Sequence, residues 1–308
     1  MDSIRRHPGM SRVCVVMPAR NEAALIERAL DGVAGVVDHV IVVDDASTDA
    51  TATIARGLLA GCGEVISGAG RGVGAAIATG CQHFLTQFTE DDWIVVVMAG
   101  DAQMDPADLA AVCAPIDAGR ADHVKGNRWL HSEGPKGMPL HRRLGTWWLS
   151  RLTSLASGTR IRDSQCGYTA TSRAMLEAWD WSTTWEGYGY PNWWLMEAGR
   201  RAFRIEEVPV RSVYGDERSG IRLIPFFTSV SWMLWKGVWR RGIDWYITGA
   251  SPAWLKLAAN LLWFGAWGSL VLSWSQPPLL MAAPLMFWLL AGLDRKESKR
   301  RRTRGWLA

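Results

Sequence analysis

Asp44 and Asp45 stand side by side directly after a β-branched run at 40–43, and Asp101 follows another such run at 93–98. Acidic groups at the carboxyl ends of strands sit where open α/β sheets bind ligands. A carboxylate there can hold Mg²⁺ or Mn²⁺ against a diphosphate through hard oxygen ligands. Asp49 reads more simply as a helix cap, and Ser47 and Thr48 are of the same capping type. Gly70-Arg71-Gly72-Val73-Gly74-Ala75 formally fits G-x-G-x-x-A, but it follows a later strand than the first, where a dinucleotide fingerprint belongs. After the first strand the chain has Pro18-Ala19-Arg20-Asn21-Glu22 instead. The glycine stretch is therefore read as backbone able to approach a ligand closely, with Arg71 supplying positive charge.

The elements that must carry these groups alternate. Runs at 13–17, 40–43 and 93–98 have the unbroken apolar character of parallel strands buried on both faces. Helical patterns at 23–33, 50–60 and 73–88 lie between them, and Pro106 marks the first turn of another helix. Strand–helix alternation implies βαβ crossovers and a mostly parallel sheet. A Gly/Pro cluster at 134–139 reads as a surface loop before a helix at about 142–156.

The composition, 48% apolar and 21% charged, excludes a disordered or collagen-like chain. Five widely spaced cysteines without a C-x-x-C pair point to a reduced, cytosol-facing protein, not to a disulfide or zinc framework. The run at 13–17 is too short for the apolar core of a signal peptide. The net charge of +4 is local: 294–304 holds seven Lys/Arg and two Asp/Glu, so the rest sums to about −1. A basic tail is no nucleic-acid-binding face, and nucleic acid is excluded as a partner.

Of 19 tryptophans only Trp93 precedes residue 129, so the back of the chain is built differently. Residues 221–250 mix Trp and Phe with Lys236, Arg240 and Arg241 as an interfacial helix would. Residues 257–274 form an 18-residue uncharged run, about 27 Å as a helix. After Pro277-Pro278 comes a second uncharged run at 279–293, short enough to be re-entrant. A transmembrane hairpin is expected, with both basic ends cytoplasmic and the tail at 294–308 able to meet anionic headgroups. The expected divisions are 1–220, 221–250, 251–293 and 294–308.

P-A-R-N-E, V-V-D-D-A-S-T-D, R-G-V-G-A-A-I-A-T-G and M-A-G-D-A-Q-M-D-P occur in order, and together they resemble family 2 glycosyltransferases of the GT-A fold. Lys125-Gly126-Asn127-Arg128 and Asp163-Ser164-Gln165-Cys166-Gly167-Tyr168 look like the branch that makes polyprenyl-phosphate sugars, similar to dolichyl-phosphate mannose and glucose synthases. Tyr214–Ser219 ahead of an amphipathic stretch and two spans is similar to bacterial members. The resemblance implies an α/β GT-A sheet flanked by helices, followed by the interfacial helix and two C-terminal transmembrane helices.

It also implies roles. Pro18, Arg20, Glu22 and Asp45 would surround the nucleobase and ribose, supported by Asp44, with Arg71 near the donor. Asp101 matches the second carboxylate of the D-x-D metal motif, with Gln103 after it; Ala99 stands where the first Asp would be. Mg²⁺ or Mn²⁺ on Asp101 would then be completed by diphosphate oxygens and waters. Arg128 resembles the residue that meets phosphate, and Arg218 a basic residue on a loop closing over the donor. Asp163 joins Asp101 and Arg128 as a catalytic candidate, and Ser164 joins Arg142 and Arg143 as an acceptor candidate. Arg142, Arg143 and Arg151 share a helix with Trp147 and Trp148, a mixture suited to a lipid phosphate at a membrane surface.

The implied activity is inverting transfer of a hexose from a UDP- or GDP-sugar to a polyprenyl phosphate at the cytoplasmic face of the cell (inner) membrane. Asn192-Trp193-Trp194 stands where many relatives carry an acidic residue, which suits an acceptor already ionised. Two other readings stay open: transfer to a hydroxyl of a glycolipid or glycan, with Asp163, Glu186 or Glu197 as base, and nucleotide-sugar binding without turnover, motivated by Ala99. No QxxRW motif occurs, against a processive synthase. The sequence leaves room for a homo-oligomer.

Overall fold

The computed structural model describes residues 11–90, 92–212, 223–249 and 251–304. The apolar runs become β1 (Arg12–Ala19), β2 (His39–Asp44) and β4 (Trp93–Val97), with β3 (Gly63–Ser67) beside β2. Three further strands complete the sheet: β5 (His123–Asn127), β6 (Thr169–Ser172) and β7 (Ile205–Pro209). The order is β3-β2-β1-β4-β6-β5-β7. Only β6 runs against its neighbours, so the carboxyl ends of the other six strands share one edge.

One face of the sheet packs on α1 (Ile26–Leu30), α2 (Thr51–Leu58) and α4 (Leu109–Asp117) through Val15, Met17, Val40, Val42, Ile94, Val96 and Val124. The other packs Cys14, Val16, Ile41, Val43, Val95 and Val97 against α3 (Val73–Gln87), α6 (Arg173–Glu177) and α7 (Tyr190–Arg200). Burying such side chains contributes about 1.5–3 kcal/mol each, and this supplies the driving force for the sheet. The helix expected at 23–33 shrinks to α1, because Gly32 takes a left-handed conformation (φ 79°) and ends it. Pro106 begins a short 3₁₀ turn, Pro106–Asp108, whose N-cap is Asp105, and α4 follows it.

Helix α5 (Leu140–Ser157) lies on α7 and on α8 (Leu223–Ile243) around Leu149, Ala156, Met196, Val230, Met233 and Leu234. The stretch expected to be interfacial is thus a helix that shares a core with the α/β domain. A π-helical turn, Asp244–Thr248, leads to α9 (Ala253–Leu272). Two stretches, Ala253–Leu272 and Pro277–Arg304, are long and apolar enough to cross a membrane, with 22% and 6% of their apolar windows buried.

The structure differs from the sequence expectation at the second run. After a 3₁₀ turn at Pro277–Met281, α10 (Ala282–Arg304) continues without a break through the basic segment. That segment packs back onto the domain. Asp294 takes two hydrogen bonds from the buried Arg241 guanidinium, both 2.9 Å, and one from Tyr246 at 2.7 Å. Arg302 donates to Gly158 O and Thr159 Oγ1, and the Trp245 ring lies between the guanidinium groups of Arg241 and Arg301 at 4.6 and 4.8 Å. Helix rise carries 294–304 away from the span that precedes it. Asp294 and Arg302 thus anchor it to the domain, while Arg295, Lys296 and Lys299 stay exposed.

Candidate active site

Because six strands are parallel, the ends of β1, β2, β4 and β5 and the loops that follow β1 to β5 gather at one edge. The described donor candidates and Arg128 lie there, and Asp163 and Ser164 lie in the loop before β6. Three adjacent strands end alike: Asn21, Ala46 and Ala102, after β1, β2 and β4, are non-glycine residues with φ of 56°, 60° and 56°. Such strain costs on the order of 1–3 kcal/mol per residue and clusters at functional sites.

The first two loops are laced together. Asn21 N donates to Ser47 Oγ (2.9 Å), Thr48 N to Asn21 Oδ1 (2.8 Å), Glu22 N to Thr51 Oγ1 (2.8 Å) and Ala23 N to Asp49 Oδ2 (3.1 Å). Asp49 also accepts from Thr51 N, the first residue of α2 (3.0 Å), but the N-cap position itself is Ala50, so Asp49 stands one residue ahead of the cap expected of it. The Thr51 hydroxyl foremost holds its carboxyl below the usual range. Pro18 is buried, and its carbonyl accepts from Gly100 N (3.1 Å); Arg20 is exposed and reaches Gly70 O at 3.5 Å. Asp44 is half-buried and accepts from Ser47 N (3.3 Å).

Asp45 is buried, and its two oxygens accept from Gly70 N and Gly72 N, both at 2.8 Å. It shapes the glycine loop from within. The glycine loop also approaches the protein's own chain. Gly74 N and Ala75 N donate to Glu186 O (2.7 and 3.2 Å), and a Cβ on Gly74 would lie 1.9 Å from Trp185 O. The first turn of α3 is thereby capped by backbone. Arg71 is exposed and pairs with Glu186 at 2.9 Å.

Asp101 is half-buried in the loop after β4. The left-handed Ala102 turns the chain so that Gln103 N donates to Asp101 Oδ1 (3.1 Å). Gly100 fits against Ala19 and Ile26, which sets Asp101 beside the end of β1. Tyr190 stands near: its hydroxyl donates to Gly167 O at 3.3 Å, and burial, then Cys166 and Asp101, hold its pKa above the usual value. Among the described residues no group of three or more His, Cys, Asp or Glu could hold a metal. A lone, part-exposed carboxylate nevertheless fits a hard cation that takes its remaining oxygens from phosphates and water, as Mg²⁺ does.

At the end of β5, Arg128 and Asp163 form a two-point pair. Arg128 Nε donates to Asp163 Oδ2 and Nη2 to Oδ1, both at 2.8 Å, and Arg128 N donates to Oδ2 at 3.1 Å. Burial would raise the Asp163 pKa; the charge and hydrogen bonds of Arg128, with Lys125 behind, bring it below the ordinary carboxylate range. Asp163 therefore orients Arg128, and a depressed, doubly engaged carboxylate is a poor proton acceptor. Ser164 is fully buried and donates its N–H to Ser150 Oγ (3.0 Å), so it ties the loop to α5. Arg143 lies on the Trp129 ring, 6.0 Å from its centre, next to Arg128, and Arg142 is half-buried in the same turn. Arg218 and 214–219 lie outside the described residues.

The other two base candidates sit elsewhere. Glu186 is committed to Arg71, and Glu197 is buried at the far end of α7 between Arg200 and Arg240. Sequence reasoning missed Glu207 on β7, whose carboxylate accepts from Arg162 N (2.9 Å) and Asp163 N (3.0 Å). The doublet Glu206-Glu207 in a short strand is the only sequence signal for it.

The sequence model described as Glycosyl transferase family 2 matches residues 14–180. The chain belongs to this family. It is a glycosyltransferase, and its relatives place it close to the polyprenyl-phosphate sugar synthases. It is 28% identical over 218 residues to the UDP-N-acetylglucosamine–dolichyl-phosphate N-acetylglucosaminyltransferase of Methanococcus voltae, covering 66% of this chain and 86% of that protein. It is 27% identical over 206 residues to the polyprenol monophosphomannose synthase of Mycolicibacterium smegmatis, covering 65% and 76%. Its fold is that of Mycobacterium tuberculosis glucosyl-3-phosphoglycerate synthase in complex with Mn²⁺, UDP and phosphoglyceric acid. The TM-score is 0.55, with 22% identity and coverage of 78% and 85%.

Proposed function

We propose that this family 2 enzyme transfers a hexose from a UDP- or GDP-sugar to a polyprenyl phosphate, with inversion, at the cytoplasmic face of the cell membrane. The observation that carries this reading is the two-point Arg128–Asp163 pair, set between the Asp101 loop and the basic, aromatic start of α5. Leu144, Trp147 and Trp148 of α5 are exposed, Arg151 lies 5.3 Å from the Trp147 ring, and Trp148 Nε1 reaches Ser231 on α8. With Trp232, Trp235 and Trp239 of α8 they make one exposed aromatic flank suited to a bilayer interface.

Pro18, Arg20, Glu22, Asp44 and Asp45 would surround the nucleoside, and Asp101 with Gln103 would face the diphosphate. Departure of a nucleoside diphosphate leaves charge on its β-phosphate; a divalent ion on Asp101, when bound, supplies compensating positive charge. Arg128, its plane fixed by Asp163, presents a preorganised cation where phosphate charge collects. Arg142 and Arg143 would draw the acceptor phosphate to the same place. That phosphate is already ionised near neutral pH, with a second pKa of about 6, so in-line attack needs no general base. A hydroxyl acceptor would need one, and Asp163, Glu186 and Glu197 are all engaged by arginines.

The test is membranes carrying the protein, labelled UDP-glucose, UDP-N-acetylglucosamine or GDP-mannose, and a C55 polyprenyl phosphate. The expected product is an acid-labile lipid-linked sugar, lost by roughly 100-fold or more in Asp101→Ala. A product stable to mild acid would point to a hydroxyl acceptor, and undiminished turnover in Asp101→Ala would overturn the mechanism.

A further inference from the structure

Residues 158–168, which carry Asp163, contain no helix or strand, so their path is set by side-chain contacts. On one side α5 holds them: Ile161 N donates to Ser154 Oγ (2.9 Å) and Ser164 N to Ser150 Oγ (3.0 Å). Between those two points the only described contacts on the backbone N–H groups of Arg162 and Asp163 come from the opposite side. Glu207 Oε1 accepts from both, at 2.9 and 3.0 Å, and Oε2 also accepts from Arg162 N at 3.1 Å.

Glu207 sits on β7, opposite Lys125 of β5 in register. Lys125 is completely buried, and its Nζ has no hydrogen-bond partner among the described residues. Its charge faces Asp163, Glu207, Cys166 and Arg128. Two acids and two bases thus share one patch, Lys125 and Asp163 fully buried and Arg128 and Glu207 partly so. The order of contact runs from Glu207 to the Asp163 backbone, then from the Asp163 carboxylate to Arg128. Glu206, one residue earlier, projects to the opposite side of the strand and makes only a surface pair with Arg120.

We propose that Glu207 is a positioning residue for Arg128, acting through Asp163. Two charge-assisted hydrogen bonds to adjacent N–H groups fix where the Asp163 carboxylate stands, and hence the direction of the guanidinium. Glu207 does not touch substrate. The inference rests on the reading of Arg128 as the phosphate-facing cation.

A double-mutant cycle tests it, with the labelled donor that turns over fastest and C55 polyprenyl phosphate in membranes. Glu207→Gln should lower kcat/KM for the acceptor about tenfold or more in the wild-type background. In the Asp163→Asn background, where Arg128 is no longer oriented, the same change should cost less than threefold. Glu206→Gln should stay within twofold throughout. Equal costs of Glu207→Gln in both backgrounds would assign it a general structural role and overturn this inference alone. Full activity in Asp163→Asn itself would remove the reading of Arg128 as well. Should Glu207→Gln not fold, Glu207→Asp, which withdraws the carboxylate by one methylene, takes its place in the same cycle with the same expectations.

Discussion

Two halves of one sheet face are built to different rules. Under α3, strands β1, β2 and β4 present Cys14, Val16, Ile41, Val43, Val95 and Val97, a dry apolar layer. Across β6 the same face continues as His123, Lys125 and Asn127 of β5, Thr169 and Thr171 of β6, and Glu207 of β7. It meets α5 and α7, where Ser150, Thr153 and Asn192 are buried. His123 Nδ1 lies 2.9 Å from Thr171 Oγ1, and Asn192 bridges Gln165 (2.7 Å) and Thr153 (2.8 Å). Polar groups withdrawn from water are costly unless paired, so this half contributes less stability per side chain. It gains orientation instead: it ends at Arg128, where a displacement of 1 Å matters. One half holds the fold together and the other aims the site.

The sharpest break of that contrast is Asp163→Ala. Leaving the mostly buried Arg128 without its carboxylate should cost about 3–5 kcal/mol, seen as a lowered thermal midpoint, together with turnover down by roughly 100-fold. A fall in only one of the two would mean that aiming and stability are separable there. Next in size, Phe84→Ala in the dry half should cost about 3–5 kcal/mol while the folded fraction keeps its KM for donor and acceptor within about twofold; a raised KM would deny the division of labour.

A smaller effect distinguishes the halves by pH. Burial, with Lys125 adding to it, pushes His123 down to about 3. The unfolded chain takes up that proton near its ordinary value of about 6.5, so the unfolded state binds more protons between these values and stability falls as pH falls. Between pH 6.5 and 4.5 the wild type should lose about 2 kcal/mol relative to His123→Gln, measured by unfolding midpoints across pH. Parallel curves would show that His123 does not titrate differently on folding. The smallest expected change is at the domain's other end: Arg301→Ala removes one face of the Trp245 stack and should cost about 0.5–1 kcal/mol without altering kinetics.

The same contrast explains what could be read in the sequence. β1, β2 and β4 were legible because their neighbours are apolar on both sides, and the acidic residues at their ends followed directly. β5, β6 and β7 are written H-V-K-G-N, T-A-T-S and I-E-E-V-P. Buried polar residues paired across strands look like loop in a linear pattern, because their partners lie far along the chain. Arg128 and Asp163 were reachable through motif resemblance, yet their pairing and the part played by Glu207 exist only once β5 and β7 are adjacent. The glycine stretch holds a contact that the linear pattern hides for a related reason: its backbone approaches the 185–186 segment, more than a hundred residues away. The tail's summed charge hides its contacts of opposite sign: Asp294 within it pairs with Arg241, and Glu297 accepts from Ser251.

The return of α10 to the catalytic domain turns the C-terminus into a brace. Two apolar helices ending in a loose extension could shift without consequence for the domain beside them. Here the outgoing helix is riveted near the start of the hairpin and the incoming one is bolted to the far end of α5, so both legs stand on the same footing. Replacing Asp294 and Arg302 together by Ala would free one leg, because both anchor it to the domain.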